Sequence, residues 1–291
     1  MRNTQKPPWL KKRIPPVQEI MKVKSILEGT ALHTVCEEAR CPNLGECFSK
    51  GTATFLILGR ICSRNCGFCA VEHGIPPLPD RREPENVAHA IKEMELQYAV
   101  ITSVTRDDLP DGGASHYAEV IRAIRALGKK TKIEVLIPDF LGAPYALDRV
   151  LKERPDVLNH NVETVPRLYP VVRPQANYPR SLHLLKRSKE HSSEILTKSG
   201  FMLGMGEDRN EILNLMKDLR EAECEFLTIG QYLQPRPDRL PVFRYIPPEE
   251  FEELRGIGEE MGFKAVASGP FVRSSFHASQ MFEGNLKADH G

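Results

Sequence analysis

Cys62-Ser63-Arg64-Asn65-Cys66-Gly67-Phe68-Cys69 reads C-x3-C-x2-C. It follows an apolar run, Thr54-Phe55-Leu56-Ile57-Leu58, with the length and composition of a buried strand, and Gly59 closes that run. Three thiolates in one short loop at a strand's end can hold three irons of a 4Fe-4S cube, whose usual complement is four cysteines. The fourth iron is then left open to a ligand from outside the protein. The competing reading is a zinc knuckle, but zinc loops favour paired C-x2-C units closed by a second pair or by histidines. The loop reads as an iron-sulfur site.

From residue 54 a rhythm sets in. Apolar stretches of strand length recur at 54–58, 98–105, 132–139, 157–163, 195–203, 226–233 and 265–271. Helical patterns lie between them near 84–97, 114–128, 146–154, 178–191, 209–224 and 247–262. In the fifth helix Ile212, Leu215, Met216 and Leu219 fall at helical spacing, while Lys217, Asp218 and Arg220 take the other face. Pro247-Pro248-Glu249-Glu250 suits the start of the sixth. Alternating βα units of this length mean a parallel sheet. They are too few for an eight-fold barrel, so the expected fold is α/β, a partial TIM-type (β/α)6 barrel. Strands of such a sheet end at one rim, where catalytic groups gather. The expected organisation is an N-terminal extension over 1–50, the barrel over 51–271 and a C-terminal segment over 272–291.

Ahead of the barrel, Cys36, Cys41 and Cys47 form a second triplet, C-x4-C-x5-C, with a turn at Pro42-Asn43-Leu44-Gly45. Buried free cysteines would be the plain alternative. The neighbours Glu37, Glu38, Arg40, Asn43 and Glu46 are polar, which argues against a dry core and for a second cluster. Six of the seven cysteines lie between Cys36 and Cys69, a pattern of metal ligation in a reducing compartment and not of disulfides. The expected location is cytoplasmic. With 40 basic and 39 acidic side chains the net charge is +1, which argues against wholesale nucleic-acid binding. No apolar stretch approaches the ~18 residues of a membrane span. Residues 1–30 are basic and proline-rich, with Lys11, Lys12 and Arg13, and read as a solvated arm or a docking element pinned by Trp9.

The cysteine loop at a strand's end resembles the radical S-adenosylmethionine (SAM) enzymes, in which the methionine end of SAM chelates the open iron. On that resemblance, Gly112-Gly113 after the second strand would contact the methionine moiety of SAM, bare backbone approaching the ligand. Gly204-Met205-Gly206 after the fifth strand would make space for adenine. Asn161 and Glu163 in the fourth apolar run either bond ribose hydroxyls or each other, because buried polar groups must be bonded to something. His160 reads as a structural histidine. Cys224, at the end of the fifth helix, falls away from the rim. Arg273-Ser274-Ser275-Phe276-His277-Ala278 follows the seventh strand and is expected at the same rim as Cys62.

Taken together these residues resemble the lipoyl synthase family: Pro8-Trp9-Leu10, both triplets, Arg106-Asp107-Asp108 with Gly112-Gly113, Gln231-Tyr232-Leu233-Gln234-Pro235, and Arg273-Ser274-Ser275. The family's C-terminal motif usually ends in tyrosine, where this chain has Phe276. The resemblance implies insertion of two sulfurs, at C6 and C8 of an octanoyl chain on a carrier-protein lysine. The cluster on Cys62, Cys66 and Cys69 would cleave SAM to a 5′-deoxyadenosyl radical that abstracts hydrogen. A second 4Fe-4S cluster, on Cys36, Cys41, Cys47 and Ser275, would be the sulfur donor. The implied partners are octanoylated carriers such as the glycine cleavage H protein and the lipoyl domains of 2-oxoacid dehydrogenase E2 subunits. A ferredoxin or flavodoxin-type reductant and an iron-sulfur carrier that rebuilds the spent cluster complete the set.

Two enzyme alternatives are another sulfur-inserting radical SAM enzyme, biotin synthase-like or tRNA methylthiotransferase-like. The first lacks the early triplet, and the second needs further domains on both sides of the motif. A two-cluster electron carrier should instead show the C-x2-C-x2-C-x3-C-P spacing.

Overall fold

The computed structural model describes residues 6–11, 17–30, 32–49, 53–128 and 130–284. Lys12 and Arg13, part of the expected basic arm, lie outside them. The strands are β1 (His33–Thr34), β2 (Thr54–Ile57), β3 (Ile61–Cys62), β4 (Glu72–His73), β5 (Tyr98–Ser103), β6 (Lys132–Leu136), β7 (Val157–Asn159), β8 (Leu196–Leu203), β9 (Phe226–Gln231) and β10 (Ala265–Gly269). The helices are α1 (Val17–Gly29), α2 (Val35–Glu38), α3 (Leu44–Ser49), α4 (Glu83–Glu93), α5 (Ala114–Ala126), α6 (Pro144–Leu151), α7 (Tyr169–Val172), α8 (Tyr178–His191), α9 (Arg209–Glu221), α10 (Pro248–Glu260) and α11 (Ala278–Phe282).

One sheet runs β1-β2-β5-β6-β7-β8-β9-β10. From β2 to β10 every pairing is parallel, and only β1 lies antiparallel, on β2. This is the expected partial (β/α)6 barrel with a further strand. It is left open between β10 and β1 among the described residues. The barrel strands are short and largely buried, as Phe55, Leu56 and Ile57 of β2 show, because helices cover the outer face. Helix α9 buries Ile212, Leu215, Met216 and Leu219 as its spacing dictates, behind a capping box of Asp208 and Glu211. The fourth strand is shorter than its apolar run suggests. It ends at Asn159, and Asn161 and Glu163 lie beyond it, with Glu163 at a positive φ of 64° and bridged to Phe201.

The N-terminal region departs from the expected solvated arm. Helix α1 packs on α3 and sends Val23 and Leu27 into the core beside Phe48. Trp9 is largely solvent-facing, and its neighbour Leu10 is the buried residue of that turn. The amphipathic period of α1 was masked by the basic residues around it.

The C-terminal segment begins beside the Cys62 loop, where Arg273, Ser274 and Ser275 line the same space, and then turns down into the open side of the barrel. The Thr54 hydroxyl, on the first residue of β2, donates to Ser275 Oγ at 2.8 Å. Helix α11 then lies across the starts of the strands: Phe282 packs on Tyr98 and Lys132, and Met281 joins Val157, Phe226 and Ala267. The missing barrel strands leave apolar interior exposed, and this segment covers it.

Candidate active site

The Cys62–Cys69 loop is tied to the rim on every side. Ser63 donates its amide to the Thr105 carbonyl at 2.9 Å, and the Gly67 amide donates to Val172 at 2.9 Å. A Cβ on Gly67 would stand 2.7 Å from the Val171 carbonyl, so the loop can pass only with glycine here. Arg64, buried, clamps the loop from below through two bonds to Asp107, at 2.6 and 2.9 Å, and one to Asp139 at 2.6 Å. Against the cost of burial, Arg64 and its neighbours hold the Asp139 carboxyl down at about 2. From above, Arg239 donates to Asn65 Oδ1 at 2.6 Å.

The early triplet sits on β1-α2-α3 at the open side. Thr34 caps α2, accepting from the Glu37 amide, which fixes the turn carrying Cys36. Asn43 donates to the Phe271 carbonyl at 2.7 Å, joining this loop to the C-terminal segment. Thr54 hydrogen-bonds the Cys36 thiol as well as Ser275, so the three are neighbours.

A cavity of about 580 Å³ inside the barrel brings the two triplets together: Cys36, Cys41, Cys47, Cys62, Cys66, Cys69 and Ser275 all line it. Asn161 and Glu163 line it as well. They bond each other, Asn161 Nδ2 to Glu163 Oε1 at 3.0 Å, and Asn161 also donates to Ser274 Oγ. Ser274 and Ser275 thus face different partners. Asn161 Oδ1 is buried with no hydrogen-bond partner, an open acceptor facing a ligand space. Burial raises the Glu163 carboxyl above its usual range, against the pull of Arg173.

Four expected ligand contacts are not at the cavity. Gly113 has φ 90°, and a Cβ there would collide with Leu58 at 2.3 Å. Gly112 packs on Phe140. Gly204 backs onto Gln231 Nε2 and the Arg244 carbonyl, at 2.3 and 2.4 Å from a would-be Cβ, and Gly206 lies near Phe243. None of the four is among the residues lining the cavity, and Gly112, Gly113 and Gly204 are closely packed at turns. Thr102, Ser103, Gly200 and Thr228 line it instead, on the strands themselves. Arg173, bonded to the Asn161 carbonyl at 2.8 Å, was also missed. His160 is structural as expected, bonded to the Ile137 carbonyl at 2.8 Å and Ser181 Oγ at 2.9 Å, and burial lowers it to about 4. Cys224 is buried after α9, bonded to the Phe226 carbonyl and far along the chain from the rim. Phe276 is buried and stacks on His277 with ring centroids 3.9 Å apart.

The donor set fits iron-sulfur ligation. Backbone amides of Arg64 and Thr105 approach Cys62 Sγ at 3.4 and 3.3 Å, the arrangement that stabilises a thiolate ligand. Burial pushes the thiols of Cys36 and Cys69 up to about 12 and that of Cys66 up to about 11, so iron must displace their protons on binding. The thiols ring a space.

Residues 56–219 match the radical SAM superfamily. Solved structures of that fold superpose: SuiB from Streptococcus suis bound to S-adenosylmethionine at TM-score 0.56 and 13% identity, over 75% of this chain and 51% of that one. Methylornithine synthase (PylB) superposes at TM-score 0.52 and 12% identity, over 84% of this chain and 73% of that one. The chain spans about half the length of SuiB, and these likenesses speak to the fold. The chain belongs to the radical SAM superfamily, whose members work with SAM and a 4Fe-4S cluster.

Residues 2–41 further match the N-terminal domain of lipoyl synthase of the radical SAM family. The lipoyl synthase of Rubrobacter xylanophilus is 55% identical over 278 residues, 96% of this chain and 87% of that protein. That of Desulfotalea psychrophila is 55% identical over 277 residues, 95% and 93%. Within the superfamily the chain is a member of the lipoyl synthase family, sulfur-inserting transferases.

Proposed function

We propose that the chain inserts sulfur at C6 and C8 of an octanoyl chain carried on a protein lysine, with the two cysteine triplets in separate roles. Cys62, Cys66 and Cys69 hold the SAM-binding cluster. Cys36, Cys41, Cys47 and Ser275 hold the auxiliary, sulfur-donating cluster. When bound, the first group supplies the electron that cleaves SAM for hydrogen abstraction and the second supplies the sulfur. The observation that carries this reading is that all six cysteines and Ser275 line one cavity. An octanoyl chain in that cavity lies within reach of both triplets.

The protein's own contribution is position and dryness. The Arg64 clamp and the Ser63 and Thr105 bonds fix the first loop. Asn161, Glu163 and Ser274 offer donors and acceptors for ribose hydroxyls, with Asn161 Oδ1 still open. Leu136, Ile137, Phe201 and Tyr232 give the cavity apolar walls that keep water from a reactive intermediate. Ser275 and Cys36 share Thr54 as a neighbour, which supports Ser275 as the fourth ligand of the early site. Harder than thiolate, a serine oxygen is less matched to iron-sulfur chemistry and can let go when sulfur leaves.

The substrates under this reading are octanoylated carriers of the glycine cleavage H protein and E2 lipoyl domain kinds. The electron comes from a ferredoxin or flavodoxin-type protein, and an iron-sulfur carrier restores the consumed cluster. The free thiols suit the reducing cytoplasm. No helix among the described residues is long and apolar enough to cross a membrane. The test is mass analysis of an octanoylated carrier domain after anaerobic incubation with reconstituted protein, SAM and reductant. The expected result is the gain of two sulfurs on the acyl chain, with no net change in hydrogen as the dithiol and two hydrogens lost as the cyclic disulfide. An unmodified chain, with 5′-deoxyadenosine formed, would overturn the sulfur-insertion reading.

A further inference from the structure

One charged side chain at the cavity has no role in the assignments above. Arg273 lines the cavity and is half-buried. Its Nη1 donates to the adjacent Val272 carbonyl at 2.7 Å, and no carboxylate pairs with it among the described residues. Two arginines buried near the rim are paired, Arg64 with Asp107 and Asp139 and Arg106 with Asp108, and Arg173 is held by the Asn161 and Val162 carbonyls. A cation withdrawn from water without a partner is costly, and such charges are kept where something anionic compensates them.

The fold makes room for this cation. Gly230, inside β9, has no side chain where the C-terminal segment enters the barrel. A Cβ there would stand 2.2 Å from the Val272 carbonyl and 3.2 Å from Arg273 Nη1. The groups of opposite sign that act on Arg273 are Cys41, of the early triplet, and Glu163. Glu163 is already engaged by Asn161 and lies under the charge of Arg173 as well, so it is a shared counter-charge. The remaining candidate is the thiolate set on the Cys41 side. Two residues along the same segment is Ser275.

We propose that Arg273 is the charge-compensating, positioning residue of the auxiliary cluster, its guanidinium set against the anionic ligand set of Cys36, Cys41, Cys47 and Ser275. This rests on the two-cluster reading above. Arginine stays charged at any working pH, so the compensation is permanent. A fixed cation beside a cluster favours its more reduced, more negative state, and net charge and hydrogen bonding to the sulfurs are among the determinants of cluster potential. The same charge would hold the negative ligand set on the cavity side that faces the reacting chain.

The experiment isolates the auxiliary cluster in a Cys62→Ala/Cys66→Ala/Cys69→Ala background. Iron content, thermal melting and the midpoint potential from an EPR-monitored titration are read for Arg273, Arg273→Lys and Arg273→Gln. The expected result is a lower potential for Arg273→Gln and a near-parental one for Arg273→Lys, which keeps the charge. Iron lost from Arg273→Gln but kept by Arg273→Lys, with both melting like the parent, supports the proposal as well. Equal potentials in all three, or equal iron loss in both variants, would overturn it. In the reciprocal Cys36→Ala/Cys41→Ala/Cys47→Ala background, a shift on Arg273→Gln as large as in the first background would overturn the assignment to the auxiliary cluster. A parental background that takes up no iron after reconstitution overturns the two-cluster reading itself, a failure visible before any Arg273 variant is compared.

Discussion

The two cysteine loops share a cavity, but they are built to different standards of permanence. The Cys62–Cys69 loop grows out of the barrel rim and is locked there by a buried arginine with two aspartates, by backbone bonds and by Arg239 above. The Cys36–Cys47 loop rides on two short helices at the open side. It is tied to the barrel by Thr54 and to the C-terminal segment by Asn43. A site that must survive every turnover is best fixed by the rigid scaffold. A site that is dismantled and rebuilt is better placed at an edge, where a ligand can be released and iron admitted. Under the proposed function that is the division between the electron-delivering and sulfur-giving clusters.

The largest effect should come from breaking one loop and leaving the other. Cys62→Ala, Cys66→Ala or Cys69→Ala is expected to abolish 5′-deoxyadenosine formation from SAM. Cys36→Ala, Cys41→Ala or Cys47→Ala should leave that reaction running and stop sulfur insertion. Chromatography of 5′-deoxyadenosine beside mass analysis of the carrier separates the two. Lipoyl product from Cys41→Ala would erase the distinction between the loops.

The serine pair sharpens the contrast within a single dipeptide. Ser275 faces Thr54 and the early triplet, and Ser274 faces Asn161 on the SAM side. Ser275→Ala should keep SAM cleavage and lose most sulfur insertion, and Ser275→Cys should assemble a cluster yet insert sulfur poorly. Ser274→Ala should chiefly weaken SAM binding, raising the KM for SAM. A dead Ser274→Ala beside a fully active Ser275→Ala would move the iron ligand one residue back.

The rigidity of the barrel loop has a pH signature. Asp139 lies at about 2 in the folded protein against an ordinary 3.8, held down by Arg64 despite its burial. A carboxyl so depressed stabilises the fold above its ordinary value, and that contribution is lost as pH falls from 3.8 towards 2. The shift is worth roughly 2 kcal/mol. Asp139→Ala leaves Arg64 with Asp107 alone, and breaking such a buried pair costs about 3–5 kcal/mol. Denaturant unfolding across acid pH should show the wild-type slope and its loss in the variant. An acid profile unchanged by Asp139→Ala would mean the clamp adds no rigidity.

The barrel was legible because its signal is repeated: every βα unit restates the same period, and most strands and helices fall where the apolar runs put them. The cysteines that share the cavity were legible as candidate ligands because their spacing suggests ligation chemistry. The glycines are ambiguous in sequence because a Gly before a helix serves packing and ligand approach with the same letter, and the contact at Leu58 shows the packing part. Helix α1 was hidden because its core residues Val23 and Leu27 sit in a basic, proline-rich stretch, and the inward path of Ser275 is set by the missing barrel strands, a tertiary cause with no local mark. Arg273 and Arg173 were missed for the related reason that a charge's partner lies elsewhere in the chain.

The smallest expected effect concerns Phe276, where the family usually has tyrosine. Its ring is buried, lines the cavity and stacks on His277. The aromatic body therefore does the packing that holds the C-terminal segment against the barrel, and a hydroxyl adds only what it can bond. Phe276→Tyr adds one polar atom at a wall with open acceptors such as Asn161 Oδ1. A buried phenol that finds a partner is close to neutral, and one that does not costs about 1–3 kcal/mol. Sulfur insertion is expected to stay within about twofold of wild type, since the stack and not the phenol carries the contact. Phe276→Ala removes the stack itself and should loosen Ser275. Iron at the early site should then fall while SAM cleavage persists, read by iron analysis and 5′-deoxyadenosine formation on one preparation. A large gain in sulfur insertion from Phe276→Tyr would show that a phenol at this wall acts in the chemistry, and that the edge-built site of this chain lacks a working part.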